Sequence, residues 1–172
     1  MMVIRPETAE DITAIYEINC RAFGQENEAR LVNELRKAPE FIGDLSLVAM
    51  DGGEVIGHIL FSPICIEGDT HAVPALALAP MAVRPDRQRK GVGSELVRFG
   101  LHRARTLGHR IVVVVGHPEY YPRFGFLGAR ARGKEAPFPV PDEAFLILGL
   151  VDDGLEAVRG TVRYPSAFDA AG

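Results

Sequence analysis

Between an apolar stretch and an amphipathic one runs Arg84-Pro85-Asp86-Arg87-Gln88-Arg89-Lys90-Gly91-Val92-Gly93-Ser94-Glu95-Leu96. Upstream, residues 76–83 pattern as a strand. Downstream, over residues 93–107, Leu96, Val97, Gly100, Leu101 and Ala104 recur at helical spacing and make one apolar face. Strand, glycine-rich turn and helix in that order limit what the chain can build. Glycines let backbone amides approach a ligand with no side chain in the way. The first turn of a helix presents unpaired N–H groups and the positive end of a dipole. Four cations directly before the two glycines complete a pocket suited to phosphate oxygens.

The charge distribution supports that reading and excludes another. Residues 84–110 carry eight Lys/Arg against Asp86 and Glu95, a net of +6 in a chain whose net charge is −4. An acidic whole does not seek nucleic acid. Phe99 is the one aromatic residue among these cations, so base-stacking platforms are lacking too. Arg98, Arg103 and Arg105 read as an ordinary solvated helix face.

The 172 residues suit one domain, expected over 1–168, with 169–172 as a frayed tail. No apolar run reaches the roughly 18 residues that span a bilayer, and the start Met-Met-Val-Ile-Arg-Pro-Glu lacks the pattern of a secretory signal. Cys20 and Cys65 read as reduced, buried thiols. The expectation is a cytoplasmic protein with no membrane partner.

Val3-Ile4-Arg5 reads as a first strand, and Thr8 with Asp11 resembles a capping box. Ile12, Ile15, Asn19 and Phe23 follow at helical spacing, and Gly24 ends that helix. A second helix is predicted over residues 28–38, stopped by Pro39. Strands are predicted over 45–50 and 54–66, joined by the hairpin turn Asp51-Gly52-Gly53. The strand over 76–83 contains Pro80, which cannot donate to a ladder, so a bulge is expected there. Gly100, on the apolar face of the next helix, predicts a close approach to the sheet, and Gly108 a C-cap. Five consecutive β-branched residues, 111–115, read as a buried, parallel strand. A short helix near 120–124 and late strands over 145–150 and 161–164 complete a mixed α/β pattern.

Several familiar motifs are absent from the sequence. Leu96 stands where a dinucleotide fingerprint needs its third glycine, and no Walker loop, Gly-x-Ser-x-Gly elbow or Cys-x-x-Cys occurs. Histidines 58, 71, 102, 109 and 117 form no metal-ligand pair, so no metal is expected.

Gln88-Arg89-Lys90-Gly91-Val92-Gly93 resembles the Gln/Arg-x-x-Gly-x-Gly/Ala loop of the GNAT-type N-acetyltransferases, which grips the pyrophosphate of coenzyme A. About thirty residues on, Tyr121-Pro122-Arg123-Phe124-Gly125-Phe126 resembles that family's Tyr-x-x-x-Gly-Phe segment. The resemblance extends to a bacterial branch of predicted acetyltransferases through residues 46–49, 57–63, 76–83, 116–126 and 160–164. It implies a single-domain GNAT-like α/β fold. Its mixed, mostly antiparallel sheet would be splayed between the fourth and fifth strands and flanked by helices. It also implies acetyl-CoA as cofactor and direct acetyl transfer to a primary amine of a small molecule or peptide/protein.

By the same resemblance, Gln88, Arg89, Lys90, Gly91, Val92, Gly93 and Ser94 hold the pyrophosphate. Met81, Ala82 and Val83 offer backbone groups to the pantetheine arm, and Tyr121 and Phe124 complete the cofactor set. Tyr121 aligns with the family's general acid, with aromatic packing on the cofactor as its other reading. Residues 76–83 hold no carboxylate, so no base is assigned; Glu26, Glu28, His58 and His117 are candidates. The acceptor is not read from the sequence: the family covers aminoglycosides, polyamines, amino acids, peptides and protein termini. Residues 23–35 and 137–144 are candidate acceptor contacts, the latter equally a plain solvated connection. Oligomeric state stays open, a homodimer being compatible. A non-catalytic acyl-CoA-binding or sensing module is the alternative that keeps the phosphate loop without the chemistry.

Overall fold

The computed structural model describes residues 1–156 and 158–171, with nothing said of the side chains at 170 and 171; of the frayed end expected at 169–172, residue 172 lies outside this range, and a 3-10 helix runs over Ser166–Ala171. In chain order the elements are β1 (Met2–Pro6), α1 (Ile12–Phe23), α2 (Asn27–Lys37), β2 (Ser46–Asp51), β3 (Glu54–Glu67) and β4 (Ala72–Val83). There follow α3 (Val92–Thr106), β5 (Ile111–Val115), β6 (Leu127–Gly128), β7 (Lys134–Glu135), β8 (Phe145–Gly149) and β9 (Gly160–Arg163). The fold is mixed α/β, with a mostly antiparallel sheet flanked by helices; its parallel pairs are β4–β5 and β7–β9.

Two compact units can be told apart. The first comprises Met1–Ser62, Ala79–Arg103 and Ser166–Gly172. In it β1, β2 and β3 pair antiparallel, Ile4 opposite Ala49 and Val48 opposite His58. The β2–β3 turn is Gly52-Gly53, with φ of 59° and 80°, the left-handed pair that a two-residue hairpin requires. One face of this sheet buries Val48 and Leu60 against Ile15 of α1 and Leu31, Val32 and Leu35 of α2. The other face receives α3. A Cβ built on Gly57 of β3 would stand 3.1 Å from Val92 and Leu96, and one on Gly100 of α3 would collide with the Phe61 ring. The close approach expected at Gly100 is therefore present, with Phe61 as its partner.

The local signals around α1 behave as their chemistry dictates. Thr8 N–H donates to the Asp11 carboxylate at 2.7 Å, and Gly24, at φ 68°, donates its N–H back to the Cys20 carbonyl. Arg5 grips the same Asp11 carboxylate at 2.7 and 3.1 Å, which holds its pKa below the usual value.

The second unit comprises Pro63–Leu78 and Ala104–Pro165. Leu76 and Ala77 of β4 pair parallel with Val112 and Val113 of β5, and β5 pairs antiparallel with β8, Val113 opposite Ile147. Four of the five β-branched residues of β5 are buried, as a strand covered on both faces requires; Val115 is exposed. The core gathers Ile64, Ile66, Ile111, Val113, Phe145, Ile147 and Val162.

The Ala79–Pro80 peptide is cis, and β4 runs through it to Val83. The β2–β3 pairing shifts register between Ala49 and Met50.

Candidate functional site

The turn from β4 into α3 is built by its own side chains and backbone. Arg84 N–H donates to the Ile56 carbonyl at 2.8 Å, tying the end of β4 to β3. Residues Pro85–Arg87 form a single 3-10 turn. Gln88 turns its side-chain amide back to the Val83 carbonyl at 3.0 Å, so its part is to brace the loop. Arg89 then takes a left-handed φ of 63° and Gly91 one of 88°. Around Gly91 no heavy atom lies within 4 Å of where a Cβ would stand. Glu95 N–H donates to the Gly91 carbonyl at 3.0 Å, and the earlier first-turn amides of Val92 and Gly93 have no acceptor within the helix. The Val92 side chain is buried on the sheet, so its contribution to the turn is its amide.

The four cations of this stretch divide into two pairs. Arg84 is held by Asp86 at 2.7 Å and by Glu54 at 3.1 Å, and Arg87 by Asp51 at 2.5 Å. Arg89 and Lys90 are exposed and, among the described residues, make no ion pair. The charge available to an anion is thus that of Arg89 and Lys90, adjoining the open, left-handed Gly91. At the end of β4, Ala82 is buried, and Met81 and Val83 are half-buried.

Tyr121 belongs to the second unit and opens a 3-10 helix, Tyr121–Phe124, which closes on Gly125 at φ 99°. The turn begins with Tyr120 and Tyr121 N–H donating to the His117 carbonyl at 3.1 and 3.4 Å. Gly116 has no side chain because the Tyr121 ring occupies that space. Tyr120 and Phe126 meet the ring edge-on at 5.1 and 5.7 Å, and Phe124 lies at 6.5 Å. Burial pushes the Tyr121 phenol up to about 12, so it stays protonated across the neutral range.

The base candidates fare unequally. His58 is fully buried; burial first, then the nearby Arg36 charge, push its imidazole down to about 3. Its Nε2 is engaged with Ser46 Oγ at 2.9 Å. Ser46 in turn donates to Glu7, which accepts from Arg36 at 2.7 Å. This network had no motif to announce it; a histidine inside the apolar run Ile56–Leu60 was the available sign of burial. Glu26 pairs with Arg30, and Glu28 accepts from Gln25 at 3.0 Å. His117 remains exposed. Among the described residues no cluster of His, Cys, Asp or Glu could hold a metal ion, and no helix is long and apolar enough to cross a membrane.

Residues 3–128 match the sequence model of the family described as acetyltransferase (GNAT) domain. The chain belongs to the GNAT acetyltransferase family. Within it, the chain is 35% identical over 169 residues to the uncharacterized N-acetyltransferase YhbS of Escherichia coli, covering 98% of this chain and 99% of that one. It is 41% identical over 134 residues to a second uncharacterized N-acetyltransferase of that bacterium, YjhQ, covering 77% of this chain and 74% of the relative. Among solved structures, Escherichia coli YhbS in complex with CoA is similar at a TM-score of 0.91 and 34% identity, over 98% of this chain and 92% of that one. A Brucella melitensis GNAT acetyltransferase in complex with acetyl-CoA is similar at a TM-score of 0.80 and 34% identity, over 98% and 99% of the two chains.

Proposed function

We propose that this protein transfers an acetyl group from acetyl-CoA directly to a primary amine of a small molecule or of a peptide or protein. The observation that carries the reading is the turn at residues 88–94. Left-handed Gly91, open space beside it and two unpaired cations form a cradle fitted to a diphosphate. Gly91, Val92, Gly93 and Ser94 would present amides to the phosphate oxygens, while Arg89 and Lys90 supply charge. Met81, Ala82 and Val83 would offer backbone groups to the pantetheine amides, and Phe124 an apolar surface. Acetyl-CoA supplies a thioester that yields its acyl carbon to an amine and releases a thiolate.

Tyr121 is the acid of this proposal. A phenol near 12 is a weaker acid than a reference tyrosine, and more than three units separate it from a reference thiol at about 8.5. Full proton transfer to a solvated thiolate would be uphill by roughly 5 kcal/mol at about 1.4 kcal/mol per unit. Tyr121 therefore acts first as a hydrogen-bond donor to the developing thiolate, and gives up its proton only to a sulfur that is itself desolvated. Of the four base candidates His58 is buried and Glu26 and Glu28 are engaged by Arg30 and Gln25, which leaves exposed His117; no base is assigned, since the attacking amine can also deprotonate through water or arrive neutral.

That same shortage of a base favours a second reading, an acyl-CoA-binding module without chemistry. One experiment separates the two: thiol release from acetyl-CoA, measured across a panel of primary amines. Acetyl transfer predicts turnover with at least one amine, falling at least about tenfold in Tyr121→Phe with CoA affinity unchanged. Tight CoA binding with no turnover for any amine would assign the sensing role instead.

A further inference from the structure

The second unit contains a cavity of about 370 Å³ lined by Arg132, Leu155, Glu156, Val158 and Arg159. A third cation lies behind its wall. Lys134 is only 1% exposed, and its ammonium donates to the carbonyls of Arg132 at 2.8 Å and Leu155 at 2.9 Å. Both carbonyls belong to residues that line the cavity, so the charge sits one residue deep.

The arginines are held in place as well. Gly133 takes a left-handed φ of 79°, and a Cβ there would stand 2.5 Å from the Arg159 guanidinium, which therefore rests on bare backbone. Arg132 anchors one guanidinium nitrogen on the Gly128 carbonyl at 3.1 Å. Among the described residues none of these three cations makes an ion pair, and Glu156 is the one carboxylate on the wall. Burial lowers the pKa of the Lys134 amine, and the charges of Arg159 and Arg132 lower it further. Three like charges gathered this way repel one another, and a bound anion would relieve the repulsion.

We propose that this cavity is a binding subsite for a small oxyanion, a phosphate or carboxylate group, held between the Arg132 and Arg159 guanidinium groups with Lys134 behind them. Planar arginine forks match the oxygen spacing of both groups. The subsite draws on residues that the phosphate loop does not use.

The test titrates inorganic phosphate, and in a second arm acetate, into CoA-saturated protein at ionic strength held constant with chloride. Backbone amide shifts at Gly133, Val158 and Gly160 are followed by NMR. Saturating CoA keeps added phosphate off the Gly91 loop, and the reporting amides do not belong to that loop. A failure of CoA to bind would therefore be seen separately, at Gly91 and Gly93. The expected result is saturable shifts at the three amides, with affinity weakened about tenfold or more in Arg159→Gln and in Arg132→Gln. Both arginines are exposed, so their replacement leaves the core intact. Saturation by phosphate alone or by both anions supports the subsite and names its class. Shifts linear in concentration, or equal affinity in both variants, would overturn it.

Discussion

Arg84 and Arg87 stand in sequence beside Arg89 and Lys90, yet Glu54 and Asp51, 30 and 36 residues away, pair with them, and Arg84 is held by its neighbour Asp86 as well. Sequence alone shows four equivalent cations; folding neutralises two of them. Replacing Arg89 or Lys90 with Met should therefore weaken CoA binding more than Arg84→Met does. Isothermal titration of the three variants checks this, and equal losses in all three would count against the division. The same limit applied to His58, whose imidazole is equally compatible with catalysis and with a core hydrogen bond until Ser46 and Glu7 are seen beside it. The family resemblance singled out Tyr121 without revealing its burial, and burial determines its titration. With the phenol near 12, no loss of turnover between pH 8 and pH 10 should trace to its ionisation. A pH profile of kcat in which wild type falls through pH 9 and Tyr121→Phe does not would contradict that assignment.

At the level of elements, what the sequence encodes locally was readable. The Thr8–Asp11 cap, the Gly24 helix end and the Gly52-Gly53 hairpin each use a few adjacent residues with a definite geometric need. Pairings between distant segments were not. β6 and β7 are two residues each, too short to leave a periodic signal, and β6 is held by Leu127 opposite Ile147 and Gly128 opposite Leu146. Gly100 announced a close approach without naming Phe61 as the partner. Because the ring fills the space a side chain would need, Gly100→Val should destabilise the fold by about 1–3 kcal/mol. Thermal or denaturant unfolding measures the loss, and Phe61→Leu in the same chain should return part of it. A Gly100→Val protein as stable as wild type would mean that α3 packs on β3 less closely than the structure shows.

For the whole molecule, pH dependence follows from the buried titrating groups. His58 is neutral in the folded state and titrates near 3, against an ordinary value of 6.5. The unfolded chain then binds the proton first as pH falls, so stability is full above 6.5 and declines toward 3. At about 1.4 kcal/mol per unit the decline amounts to roughly 3 kcal/mol by pH 4.5. In His58→Gln, which keeps a partner for Ser46 but cannot titrate, that decline should flatten; an unchanged acid limb in denaturant titrations would contradict the assignment. Tyr121 and Tyr164, both raised by burial to about 12, act in the opposite direction: stability declines as pH climbs from 10 toward 12. Acetyl transfer as proposed needs CoA seated on the turn at Gly91, and calorimetric titration of CoA into wild type and Gly91→Glu probes that turn. The space beside Gly91 is open, so the new carboxylate fits without collision, at about 1–2 kcal/mol of left-handed backbone cost. It would then stand where the diphosphate belongs. A folded variant, checked by circular dichroism, that has lost CoA affinity at least about a hundredfold is the predicted result; undiminished affinity would mean that the diphosphate does not sit at Gly91.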